Sequence, residues 1–179
     1  MKNRNKKEMS DVDAYAMTDV GLCRDRNQDY LFCCIDPVGQ LPNLFIVADG
    51  MGGHRAGDFA SEFTVNKIVE LIKESEFTNP ITVINNAIRQ TNRILVEKSL
   101  SDDELKGMGT TLALATIIDK TLHVGNVGDS RVYVIGSEIH QVSRDHSYVE
   151  ELIQSGNLIR GSDEYWKKKN IITRAIGGT

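Results

Sequence analysis

The sequence predicts an α+β fold built on an antiparallel sheet, and three observations carry that expectation. Two apolar runs, 110–118 and 121–127, are separated only by Asp119-Lys120, and the runs 131–135 and 138–142 only by Gly136-Ser137. Strands joined by two residues run antiparallel, because a parallel pair needs a long crossover connection. Ahead of these hairpins the apolar spacing becomes helical over 57–73 and again from Pro80, so strands and helices segregate along the chain instead of alternating.

Taken in order, 12–17 and 30–35 read as strands flanking a polar loop, 24–29, and 43–48 as a nearly all-apolar third strand. Asp49-Gly50 is expected to end that strand in a turn. Val65, Ile68, Val69 and Ile72 then share one helical face. Asn79-Pro80 is an N-cap followed by the proline favoured at the first helical position, and Ile84, Ala87, Ile88, Thr91 and Leu95 form the stripe of a second helix. The two helices should form a hairpin docked on the sheet. The polar stretch 99–106 reads as a loop, and the hairpins after it read as a meander. Ser147 and Glu150 have the spacing of a capping box opening a short helix, which Gly156 closes. A polar loop over 161–170 and a last strand over 171–175 complete the expectation.

With 179 residues, 40% apolar and 26% charged, the chain has the size and composition of one domain with a substantial core. A formal net charge of -4 gives no basic field to hold nucleic acid or an anionic membrane. The three cysteines, Cys23, Cys33 and Cys34, lack CxxC spacing and make a poor disulfide framework. They fit a reducing cytoplasm, as small core residues near a strand. Residues 1–10 are basic with no apolar stretch behind them, which argues for a solvated tail and against secretion. No window approaches a membrane span.

The chemistry-bearing residues gather at strand ends. Asp49 follows the apolar run and precedes Gly50, Gly52, Gly53 and Gly57, a rim open enough for a cation serving a bulky anionic substrate. An ordinary Asp-Gly turn is the rival reading. A phosphate-cradling glycine loop is disfavoured, because no GxxxxGK[ST] occurs and Arg55 interrupts GxGxxG. Arg24 can grip two phosphate oxygens through its planar fork, or simply form a surface ion pair. Asp129 lies in a turn between two strands, where a hairpin acid capped by its own backbone is the ordinary explanation, and Asp145-His146 precedes a helix as a capping or solvated pair.

The order and spacing of six groups decide among these readings. Arg24 with Asn27, Gln28 and Asp29, then Asp49-Gly50-Met51-Gly52-Gly53-His54, Gly107-Met108-Gly109-Thr110-Thr111, Asn126 with Gly128-Asp129-Ser130-Arg131, Ser143-Arg144-Asp145-His146, and the run 172–178 resemble the bacterial branch of the PP2C (PPM) serine/threonine protein phosphatases. The resemblance covers roughly 12–178. It implies a β-sandwich flanked by helices with two Mg²⁺ or Mn²⁺ ions at one end. Asp49 would bridge the ions and the Gly50 carbonyl would bind one of them. Asp29 would act through water, Gln28 occupying the place of its usual acidic neighbour. Arg24 would bind the phosphate and Asp129 would serve a weaker third ion. Water activated by the ions would attack phosphoserine or phosphothreonine phosphorus in line, without a phosphoenzyme. The region 161–169 would be the variable flap associated with substrate choice.

Two departures are visible. Met51 stands where the animal branch places a histidine acting as general acid, leaving His54 as the looser candidate. The family also continues beyond the segment matching 172–178 into strands bearing an Asp-Gly and an Asp-Asn pair, whose aspartates bind metal directly, and neither pair is present. Residues 11–179 are therefore expected to be the N-terminal portion of one phosphatase domain, incomplete at its C-terminus, with an exposed sheet edge through which the chain can self-associate. The implied partners are phosphoproteins made by a serine/threonine kinase. The alternative is a catalytically silent binding or regulatory protein that keeps the scaffold.

Overall fold

The computed structural model describes residues 12–52 and 56–178. Its main sheet has the order β1 (Asp29–Cys34), β2 (Leu44–Met51), β4 (Leu112–Ile118) and β5 (Thr121–Val127), with the short β3 (Gly109–Thr110) extending β2 beyond β4. Every pairing is antiparallel. Asp119 and Lys120 both take positive φ, the geometry of the tight turn that joins β4 to β5. The antiparallel α+β expectation thus holds.

Side-chain alternation decides which face is covered. In β2, Leu44, Ile46, Ala48 and Gly50 are buried while Val47 and Asp49 are exposed. Helix α1 (Ala56–Lys73) packs on the buried face through Ala60, Val65, Ile68 and Ile72, and α2 (Pro80–Ser101) packs on α1 through Val83, Ala87 and Leu95. Asn79 caps α2 as its sequence foretells, its Oδ1 accepting the Thr82 amide. The opposite face carries Leu31 beside Val47, and Val47 beside Ala113. At the far end, buried Asn43 ties β2 to β4: its amide donates to the Ile117 carbonyl at 2.9 Å and its Oδ1 accepts the Ile117 N–H at 2.8 Å.

Several local expectations are corrected. Residues 12–17 form no strand, since no neighbouring chain pairs with them among the described residues. Strand β2 does not stop at Ala48; Asp49, Gly50 and Met51 remain in it because β3 continues the ladder, Gly50 facing Thr110 and Met51 facing Gly109. The hairpin β6 (Tyr133–Ile135) and β7 (Ile139–Gln141) is a separate two-stranded sheet, so the meander is interrupted after β5. Helix α3 (Tyr148–Gln154) starts after Ser147 as expected, but the Ser147 side chain makes no capping bond, and Glu150 pairs instead with Arg160 at 2.5 Å. Within the expected 161–170 loop lies a short helix, α4 (Asp163–Lys168), whose signals are the Ser162 cap, acids in the first turn and lysines in the last. The stretch 99–106 contains the end of α2 and a 3-10 turn, Asp103–Leu105. Residues 171–175 contribute only the isolated bridge of Ile172 to Ser147. Cys23 and Cys33 are exposed rather than in the core, Cys33 because β1 presents it to the uncovered face.

Candidate active site

Asp49 leaves the sheet on its uncovered face, at the end where β1 begins, and cross-strand register places it opposite Asp29. Asp29 is fixed by a local turn in which its own amide donates to Asn27 Oδ1 at 3.0 Å. The register sets the Asp29 and Asp49 side chains side by side on one face, and although Asp49 keeps contact with solvent its pKa is raised, chiefly by partial desolvation, then by Asp29, and further by Asp129. The Arg24 guanidinium lowers it in opposition, while Nη1 of Arg24 reaches Gln28 Oε1 at 3.5 Å. Arg24, Asp29, Asp49 and Asp129 are therefore gathered at one end of the sheet although three loops or strands supply them.

Gly50 is required here by close approach, not by a turn. A Cβ at this position would lie 2.1 Å from the Gly57 carbonyl oxygen and 2.7 Å from the Gln28 carbonyl oxygen, and the Gly50 amide donates to that same Gln28 oxygen at 3.0 Å. The first turn of α1, β2 and the Arg24 loop thus meet at a position that admits no side chain. Arg26 adds a long contact of 3.7 Å to Asp58 in that first turn. His54 lies outside the described residues.

Asp129 follows Gly128, which has a φ of 95° and opens the turn after β5. Burial raises the Asp129 pKa, a backbone hydrogen bond opposes this, and Asp145 raises it further. Asp145 itself is neither a cap nor a solvated acid. It is buried and receives Arg131 through Nε and through Nη2, the latter at 2.5 Å, along with Gln141 Nε2 at 2.9 Å. This forked pair keeps the Arg131 proton firmly bound and ties the Asp129 turn to the approach to α3. His146 grips the same turn from the other side, its Nδ1 accepting the Gly128 amide at 3.2 Å and its amide donating to the Gly128 carbonyl at 2.9 Å. The sequence presented Arg131, Asp145 and His146 within recognisable groups, yet only their contacts give them work. An open groove of about 470 Å³ runs from Asp129 to α4, lined in part by Arg131, Ser147, Arg160, Tyr165, Trp166 and Lys169.

The chemistry of the donor set bears on the ions that the fold implies. Two cross-strand carboxylates that repel each other when ionised, with a third nearby, are hard oxygen donors suited to a divalent cation such as Mg²⁺ or Mn²⁺. The set is partial: among the described residues no three His, Cys, Asp or Glu side chains converge closely enough to enclose an ion. The residues present fit one side of a cation site.

Comparison with known proteins gives one family. The family profile described as protein phosphatase 2C matches residues 24–155. The chain is 38% identical over 172 residues to protein phosphatase PhpP of Streptococcus pneumoniae, and the match covers 90% of this chain and 66% of that protein. It is 37% identical to the serine/threonine phosphatase stp of Listeria monocytogenes, covering 89% of this chain and 65% of that one. The crystal structure of serine/threonine phosphatase Stp1 from Staphylococcus aureus superposes with a TM-score of 0.80 at 34% identity, over 91% of this chain and 65% of that one. The chain thus spans somewhat less than two thirds of the length of these relatives. The matched stretch runs from the phosphate-gripping candidate Arg24 through Asp49 and Asp129 into α3, the same stretch that builds the acidic end of the sheet, and on that ground the chain belongs to the protein phosphatase 2C family.

Proposed function

We propose that the protein to which this chain contributes hydrolyses phosphoserine and phosphothreonine in proteins, with Mg²⁺ or Mn²⁺ as cofactor. The observation that carries the reading is the meeting of one guanidinium, Arg24, with the Asp29, Asp49 and Asp129 carboxylates at a single sheet end. An anionic phosphate cannot approach those carboxylates unless cations intervene. Bound divalent ions supply Lewis-acid activation of water and neutralise phosphate charge. Asp49 would hold them directly, the Gly50 carbonyl would add a ligand, Asp29 would orient water at the site, and Asp129 would serve a further ion. Arg24 would hold the phosphate through two oxygens and orient it for in-line attack. His54 would donate a proton to the leaving group. The groove toward α4 would receive the protein substrate.

A serine/threonine kinase would supply that substrate, and the cytoplasm is the proposed compartment; no described helix is long and apolar enough to cross a membrane. Among the described residues strand β1 pairs only with β2 and so forms a sheet edge, which supports self-association. The test is phosphate release from a phosphopeptide as Mn²⁺ is titrated. It uses this chain and a longer form carrying the additional length of the relatives, each with Asp49→Asn as control. Metal-dependent release that Asp49→Asn abolishes is expected. A well-folded longer form with no such release would refute catalysis and leave the silent scaffold reading in its place. Arg24→Ala should chiefly raise KM.

A further inference from the structure

Thr111 occupies the gap between β3 and β4, directly opposite Asp49, and the bonding there departs from an ordinary ladder. The Thr111 amide donates to the Asp49 carbonyl at 2.9 Å, as an antiparallel pair requires. The Asp49 amide, however, donates to the Thr111 hydroxyl at 2.9 Å, not to the Thr111 carbonyl. That carbonyl is taken up by the Thr110 hydroxyl at 3.0 Å. The Thr111 hydroxyl is also paired with the Ser130 hydroxyl at 2.6 Å. A Cβ on Gly128 would stand 2.8 Å from Thr111 Cγ2, so the Asp129 turn rests on the threonine side chain itself. Thr111 is buried, and one hydroxyl therefore touches both the backbone of Asp49 and the residue that follows Asp129.

We infer that Thr111 is a positioning residue whose hydroxyl couples the end of β2 to the Asp129 turn and so fixes the separation of the Asp49 and Asp129 carboxylates. The consequence for catalysis rests on the phosphatase reading, whereas the coupling stands on the hydrogen bonds alone. Valine keeps the shape of threonine but strands the Asp49 amide and releases Ser130, while serine keeps the hydroxyl. The Thr111 hydroxyl is the hydrogen-bonded link between the Asp49 amide and the Ser130 hydroxyl, so a change at Ser130 should reach that amide through it.

The test measures amide resonances and hydrogen exchange in the full chain for Thr111→Val, Thr111→Ser and Ser130→Ala. Thr116→Val serves as control, because it removes another buried hydroxyl at the far end of β4. Thr111→Val should speed exchange of the Asp49 amide about tenfold and shift the Ser130 amide. Thr111→Ser should restore both. Ser130→Ala should shift the Asp49 amide, and Thr116→Val should move neither. Mn²⁺ binding by electron paramagnetic resonance should weaken in Thr111→Val and recover in Thr111→Ser, with Ser130→Ala adding little to the valine variant. An unmoved Asp49 amide in Ser130→Ala, or additive effects in the double variant, would overturn the inference. If Asp49→Asn binds Mn²⁺ as the parent does, the metal reading fails, and the amide measurements still decide the role of Thr111.

Discussion

Replacing Gly50 by alanine tests whether the meeting of α1, β2 and the Arg24 loop is as close as the structure has it. The added Cβ would stand 2.1 Å from the Gly57 oxygen and 2.7 Å from the Gln28 oxygen, where ordinary contact begins near 3.4 Å. Both obstacles are backbone, so no side-chain rotation relieves them. The first turn of α1 would have to recede by about 1.3 Å, in an interior packed too densely to yield freely. Overpacking of this kind costs about 1–3 kcal/mol, and two backbone clashes put Gly50→Ala at the upper end, about 3 kcal/mol. For a domain of this size that corresponds to a Tm fall of roughly 6–12 °C. Gly136→Ala is the matched control, because nothing lies within 4 Å of its Cβ and its φ is not left-handed. Restricting the unfolded chain there should raise stability by up to about 1 kcal/mol. Thermal unfolding followed by far-ultraviolet circular dichroism, with urea titration to confirm an unchanged slope, reads both variants. A Gly50→Ala protein melting within about 2 °C of the parent would refute the packing argument.

Three further outcomes follow from the same contacts. Asp49 has a raised pKa in the folded state, so folding takes up a proton there, and the resulting stability is present at low pH and lost as pH rises through the folded value; Asp49→Asn should therefore raise Tm near pH 7 without added metal and lose that advantage in acid. The His146 pKa is lowered by burial and then by Arg174 and Arg144, so its contribution is present above about pH 6.5 and fades as pH falls toward the folded value; His146→Gln should flatten the Tm loss between neutral and mildly acid pH, and an unchanged slope would count against this. Asn43→Ala would strand the Ile117 N–H and C=O together, for a loss of about 2–4 kcal/mol by urea midpoint; a loss under about 0.5 kcal/mol would show that water replaces the amide.

The local elements that were legible were those with a strong period or a local stereochemical signal. The α1 stripe, the Asn79 cap and the Asp119-Lys120 turn each depend on residues within a few positions of one another. The errors came where pairing with a distant segment decides. Asp49-Gly50 reads locally as a turn, yet β3, far along the chain, keeps both residues in β2. Residues 12–17 are mostly apolar, as a strand can be, but an apolar run forms no ladder without a partner. Helix α4 was legible in its Ser162 cap and charge order, and the surrounding polarity obscured it.

For the site, residue order alone carried the chemical inventory: an arginine, the aspartates and the glycines, in an arrangement that marks the family. It did not determine their relations. Register sets Asp29 against Asp49, and the Cβ-less surface of Gly50 lets α1 close on the Arg24 loop. A threonine hydroxyl standing in for a carbonyl links Asp49 to the Asp129 turn, whose far side is held by Asp145 and His146. These are contacts between residues far apart in the chain. Side-chain type and spacing encode what a residue can donate, accept or exclude, whereas the packing of the sheet against its helices and turns decides which partner it meets.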